Sequence, residues 1–114
     1  MTHYLLCDLK DDPELIAEYE AHHAPGRCWP EVTDAIREAG ILEMQIYRAG
    51  NRLMMVMETG EQYTEERHAA INASRQKVRA WEALMDRYQD RLPFAEAGVK
   101  WVPMHQIFRL QDQA

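Results

Sequence analysis

The sequence predicts one α+β domain in which two strand–helix–strand units share a single sheet. Three observations predict it. Strand-like runs at 3–10, 41–48, 52–59 and 102–110 enclose two pairs of helical patterns. Pro, Gly or Asp marks most of the junctions between them. The chain has 114 residues, of which 46% are hydrophobic, enough for one core and too few for two.

The first run, His3–Lys10, alternates loosely and ends at Asp11-Asp12-Pro13. Asp12 is a good N-cap and Pro13 a good first helical residue. A helix over Glu14–Ala24 follows, with Leu15, Ile16, Tyr19 and His23 on adjoining positions of one face. Pro25-Gly26 breaks it. Pro30 restarts a helix through Glu38 that turns Val32, Ala35, Ile36 and Ala39 inward, and Gly40 fits the position just past its end. Ile41–Arg48 and Arg52–Thr59 form a hairpin around Gly50-Asn51. Leu53–Met57 is apolar at every position, the pattern of a strand covered on both faces. A helix is expected over Tyr63–Ala73 and another over Arg75–Leu92. The second carries Val78, Trp81, Met85, Tyr88 and Leu92 at three- and four-residue steps and stops at Pro93. A loop over 94–101 leads into a last strand, Val102–Leu110, and residues 111–114 read as a frayed tail.

The order is β-α-α-β-β-α-α-β. Merging each broken helix pair gives βαββαβ, the ferredoxin-like split βαβ arrangement. Helices then cover one sheet face, and the apolar third strand asks for cover on the other. A second copy packed sheet to sheet supplies it, so the expectation is a homodimer, a dimeric α+β barrel.

Charge narrows the function. Thirteen Lys and Arg against nineteen Asp and Glu give a net charge of −6, which disfavours nucleic acid and anionic membrane surfaces as partners. The longest apolar run is far too short to span a bilayer. MTHYLLCDLKDD lacks the basic and apolar regions of a leader, so the reading is cytoplasmic. Cys7 and Cys28 are expected to be free thiols, and no Cys/His spacing suggests a metal.

Tyr19 and His23 stand four apart and share a helix face. His22 points about 100° away. A His can exchange a proton near neutral pH, and a Tyr can donate or accept a hydrogen bond; the blander reading is an inner face that happens to carry two amphipathic residues. Trp81 lies on the inward stripe of its helix, where core packing is the plainer role, and Trp29 precedes a helix-starting Pro. The five glycines are isolated turn residues, Ser74 is the single serine, and His3, His68 and His105 are scattered. No phosphate loop, nucleophile elbow or metal set results.

The stretches LCDLKDDPELIAEYEAHH, WPEVTDAIREAGILEMQIYRAGNRLMMVMET, VRAWEALMDRYQDRLP and KWVPMHQIFRL together resemble the L-rhamnose mutarotase family over nearly the whole chain. LKDDP, GNRL and WEALM look like the branch associated with L-fucose. The resemblance implies a ferredoxin-like domain that dimerises through its sheet. It implies interconversion of the α and β anomers of a 6-deoxy-L-sugar, with no cofactor and no metal. It implies a Tyr followed four residues later by a proton-donating His, matched by Tyr19 and His23, and a sugar-lining Trp, matched by Trp81. Two departures stand out. His23 and Trp29 are six apart where the family has four, which implies a two-residue insertion within 24–28. Met44 and Ala80 occupy positions where the family has Tyr and a second Trp, with Tyr47 or Glu43 as replacements for the lost contacts. The substrate-binding set is therefore Tyr19, Trp81, Met44, Ala80 and Tyr47.

Mutarotation needs a proton given to the ring oxygen and one removed from the anomeric hydroxyl. His23 is the natural acid; Tyr19, His22, Glu43 or a water is the base. Two alternatives share the fold: a monooxygenase or haem-degrading enzyme of the dimeric α+β barrel type, and a non-catalytic small-ligand module.

Overall fold

The structure is a computed structural model that describes residues 1–114. Its elements are β1 (Thr2–Leu9), α1 (Pro13–His22), α2 (Pro30–Glu38), β2 (Ile41–Ala49), β3 (Arg52–Thr59), α3 (Glu65–Ser74), α4 (Gln76–Asp86), β4 (Gln89–Asp90) and β5 (Val102–Pro103), with a 3-10 turn at Leu110–Asp112. The sheet order is β2-β3-β1-β4, and β5 also pairs with β1. All of these pairings are antiparallel. This is the ferredoxin-like order, with β4 and β5 sharing one edge of β1 as a single interrupted strand.

The local chemistry expected at the junctions is present. Asp12 caps α1 by accepting from the backbone N–H groups of Glu14 and Leu15 at 2.9 and 3.2 Å, and Pro13 opens the helix. Gly40 ends α2 at φ +93°, and a Cβ there would meet the Tyr63 backbone nitrogen at 3.1 Å, so Gly is required twice over. The hairpin register runs from Ile41 opposite Thr59 to Ala49 opposite Arg52.

Strand alternation sets the two faces of the sheet. Cys7, Leu9, Leu53, Met55 and Met57 are buried beneath the helices. The larger core cluster joins Leu9, Tyr19, Val32, Leu53, Trp81, Met85 and Tyr88; a smaller one joins Ala39, Ile41, Met55 and Met57. On the open face lie Tyr4, Leu6, Tyr47, Met54 and Val56. Met54 and Val56 are half-buried within the single chain, so β3 is fully covered on one face only.

Two expected elements are corrected. The helix expected through Leu92 ends at Asp86. Tyr88 N–H bonds back to the Met85 carbonyl at 2.9 Å, the Tyr88 carbonyl accepts from Lys10 N–H at 2.8 Å, and Gln89 pairs with Leu9. The unpaired edge of β1 takes these residues from the helix. Tyr88 and Leu92 are still buried, which is why the helical stripe continued past the true end. The strand expected over Val102–Leu110 shrinks to Val102–Pro103; in the register that sets Leu5 opposite Pro103, β1 begins at Thr2, opposite residue 106, so the rest of the expected strand has nothing to pair with. One more backbone bond, Met104 N–H to the Tyr4 carbonyl at 2.8 Å, closes the pairing. Beyond it Ile107, Phe108 and Leu110 are exposed. The radius of gyration of 15.1 Å exceeds the about 13 Å usual for this length, as an outstretched tail requires.

Candidate functional site

A cleft of about 1630 Å³ lies between the helix-covered face of the sheet and the helices. It exceeds the few hundred to a thousand Å³ of a typical small-molecule site and is open to solvent. One end is built by α1, α4 and β4, the other by α3 and the start of β1.

At the first end α1 delivers Tyr19 and His23 together. Their rings stack at 4.3 Å between centroids with 31° between planes. His23 is the C-cap of α1, and its Nδ1 lies 2.7 Å from the Tyr19 backbone carbonyl. A carbonyl only accepts, so Nδ1 carries the proton, and Nε2 of the neutral ring keeps its lone pair. Burial lowers the His23 pKa; the carbonyl contact opposes this and nearby His22 adds to it. The ring is therefore neutral near pH 7. Tyr19 is 3% exposed, and burial pushes its phenol well above the ordinary tyrosine value.

Trp81 closes this end edge-on to His23 at 5.4 Å. Trp29 packs edge-on against Trp81 at 5.2 Å, so the longer spacing between His23 and Trp29 still returns Trp29 to the cluster. The turn over 24–28 achieves this with Gly26 at φ +78°. His22 does not line the cleft: its Nε2 is 3.2 Å from the Tyr88 hydroxyl.

The remaining sequence candidates divide. Met44 lines the cleft beside Ile46. Tyr47 points to the other face of β2, bonds Gln45 through its hydroxyl at 3.1 Å, and borders a smaller pocket of about 360 Å³ that also reaches Tyr19 and His23. Glu43 lines the cleft, with its carboxylate accepting from Met44 N–H at 2.9 Å. Ala80 is exposed and does not line the cleft. It sits about 100° around α4 from Trp81, and its methyl is too short to reach back.

The structure adds residues that sequence reasoning passed over. Gln89 is buried, lines the cleft, and donates from Nε2 to the Tyr19 hydroxyl at 3.4 Å. Nothing in the sequence marked it, since it sat inside an expected helix. Tyr63 and His68, 3.3 Å apart between hydroxyl and Nδ1, line the far end with His3; their five-residue spacing is not a helical contact and gave no signal. Trp101 packs against both core clusters. Cys7 and Cys28 are free thiols, and burial raises the Cys7 thiol to about 11, which leaves it a poor nucleophile. No group of three His, Cys, Asp or Glu converges as a metal-ligand set, and no helix is long and apolar enough to cross a membrane.

The L-rhamnose mutarotase family profile matches residues 3–110. The chain belongs to the L-rhamnose mutarotase family. An L-fucose mutarotase of Xanthomonas campestris pv. campestris is 46% identical over 105 residues, covering 92% of this chain and 84% of that protein. A UPF0734 protein of Dictyostelium discoideum is 30% identical over 110 residues, covering 90% of this chain and 84% of that one. The crystal structure of an L-rhamnose mutarotase from Formosa agariphila superposes with a TM-score of 0.66 at 14% identity, covering 96% of this chain and 98% of that chain, which speaks for the fold. Of the three classes left open by the sequence, family membership selects the isomerase: this is a sugar mutarotase.

Proposed function

We propose that this mutarotase acts on 6-deoxy-L-hexoses, prefers L-fucose to L-rhamnose, and uses His23 as its acid/base group. The observation that carries the reading is the anchored His23 ring, with Nδ1–H fixed on a backbone carbonyl at 2.7 Å and Nε2 left to face a ligand. The L-fucose preference is supported by the 46% identical L-fucose mutarotase.

The lowered pKa sets the order of events. Neutral His23 begins as base, taking the anomeric hydroxyl proton at Nε2. The imidazolium so formed is then the acid that protonates the opened ring oxygen, directly or through a water. Rotation about the C1–C2 bond exposes the other carbonyl face, and the two transfers reverse on closure. Tyr19 makes a poor base because its phenol holds its proton, but that proton can hydrogen-bond the sugar. Trp81 offers an apolar surface for the C6 methyl. Exchange NMR between anomeric protons of L-fucose, L-rhamnose and D-galactose at catalytic protein concentration tests this. L-fucose is expected to exchange fastest; equal acceleration of all three would remove the preference.

The same reading includes a homodimer. Only 17 of 114 residues are buried in the single chain, a small core. The open sheet face leaves Tyr4 and Tyr47 about half exposed, at 48% and 53%, with Leu6, Met54 and Val56 between them. Sheet-to-sheet contact would cover this patch. Sedimentation is expected to give twice the 13.4 kDa chain mass, and a monomer at micromolar concentration would count against it.

A further inference from the structure

Gln89 carries the one buried side-chain polar atom of the chain that lacks a hydrogen-bond partner, its Oε1. The residue is 6% exposed and lines the cleft. A buried amide oxygen without a donor has lost its water and gained nothing in return. Such an atom inside a binding cleft is what a ligand would satisfy.

Its neighbour says what kind of ligand. Gln89 Nε2 donates to the Tyr19 hydroxyl, so the Tyr19 oxygen is already an acceptor and its own proton is free to donate. Tyr19 O–H and Gln89 Oε1 therefore present one donor and one acceptor side by side on the cleft wall. A single alcohol group needs that pair, because a hydroxyl accepts through its oxygen and donates through its hydrogen. Turning the amide over exchanges the two roles and leaves the match intact: Tyr19 then donates to Gln89, and the freed NH2 becomes the donor beside the Tyr19 lone pair.

The placement is rigid. Gln89 lies in β4, held opposite Leu9 by the β1 ladder, and Tyr19 lies in a helix capped by Asp12. A polar pair fixed on two such elements costs little ordering when a ligand arrives.

We propose that Gln89 is a sugar-binding residue of this mutarotase, and that its free amide atom together with the Tyr19 hydroxyl reads one hydroxyl group of the sugar. The inference rests on the sugar-site reading of the cleft and adds a contact to it.

The experiment is equilibrium calorimetry of L-fucose and its 2-, 3- and 4-deoxy derivatives with wild type and Gln89→Met, a near-isosteric change that removes both amide atoms. One deoxy sugar is expected to bind wild type about tenfold more weakly than L-fucose. Gln89→Met is expected to bind L-fucose about tenfold more weakly and to lose that discrimination, so that the two losses do not add. Should Gln89→Met fail to fold, Tyr19→Phe removes the partnering hydroxyl alone and is expected to erase the same deoxy-sugar penalty. Unchanged affinity in Gln89→Met would mean that the amide meets only a water and would overturn the inference. So would an equal weakening of all four sugars, which signals a distorted cleft. Anomer exchange measured on the same wild-type protein keeps the two readings apart. Sugar binding without exchange would remove the role of His23 and leave the Gln89 contact standing, whereas exchange with an indifferent Gln89 would do the reverse.

Discussion

The two ends of the cleft each pair a histidine with a tyrosine, yet they are held differently. At the α1 end, His23 Nδ1 meets the backbone carbonyl of Tyr19, a group that can only accept. At the α3 end, His68 Nδ1 meets the Tyr63 hydroxyl at 3.3 Å, and His3 Nε2 meets the Thr59 hydroxyl at 3.0 Å. The Thr59 hydroxyl is committed, giving its proton to Met1 and so accepting from His3 Nε2–H; the Tyr63 hydroxyl donates or accepts as required and leaves the tautomer of His68 free. The carbonyl fixes one tautomer and aims one lone pair. The α1 end also has the Trp29–Trp81 wall and the unpaired Gln89 amide oxygen, whereas Tyr63 and His3 mainly meet each other, 5.8 Å apart between ring centroids. Equal residue types thus make unequal sites, and the difference lies in what anchors the ring.

The sharpest way to break this comparison is to delete each imidazole in turn. His23→Ala is expected to lose about 10²-fold or more of the anomer-exchange rate, read by exchange NMR on L-fucose. His68→Ala and His22→Ala are expected to keep most of it. His22 serves as a control from the same helix turn, since it bonds Tyr88 and stays out of the cleft. A loss at His68 as large as that at His23 would place the chemistry at the wrong end, and a larger loss at His22 would show that the helix turn was misread.

A smaller effect should follow at the aromatic wall. Trp81→Phe keeps an aromatic face and is expected to weaken L-fucose binding modestly; Trp81→Ala is expected to weaken it by about tenfold or more, within the range that one lost apolar contact produces. L-fucose should also exchange faster than L-galactose, which adds a hydroxyl at C6. Tyr63→Phe at the other end should leave binding unchanged. Trp81 is 5% exposed within the larger core cluster, so melting temperatures must accompany the binding data. A folded Trp81→Ala protein with wild-type affinity would return that residue to packing alone.

How far these ends were legible in the sequence follows from how each is built. The α1 end comes from local signals: a cap at Asp12, Pro13, and a four-residue spacing that puts Tyr19 and His23 on one face. Trp81 emerged from the helical stripe of α4. Gln89 did not, because β4 exists only to satisfy the edge of β1, and Lys10 and Leu9 lie some eighty residues away in the chain. The α3 end is likewise assembled from β1, β3 and α3, with no local pattern. Ala80 shows the opposite failure: a family position can be matched in sequence while its side chain leaves the site. The apolar run of β3 marked a strand face that needs cover, and Met54 and Val56 are half-buried within the single chain; composition alone does not say what supplies the rest.

The smallest expected effect separates charge from chemistry. Burial lowers the pKa of both His23 and His68, so electrostatics alone treats the two ends alike. Below the ordinary histidine value near 6.5, the unfolded chain takes up protons that the folded chain refuses. Unfolding free energy should therefore fall as the pH drops from about 6.5 towards the folded values, with a slope of at most one proton for each histidine. Above about 6.5 neither group binds a proton in either state and the contribution vanishes. Denaturant melts from pH 5 to pH 8 should show this slope, and His23→Gln and His68→Gln should each flatten it. Activity should part the two variants. If neutral His23 is the working form, kcat/KM stays level down to about 6.5 and declines only at lower pH, where the buried ring finally takes a proton. His68→Gln should leave that acid limb in place, and His23→Gln should abolish the activity that displays it. An acid limb that moves when His68 is replaced would show the two ends to be coupled, and the carbonyl anchor on His23 would no longer explain which of them does the chemistry.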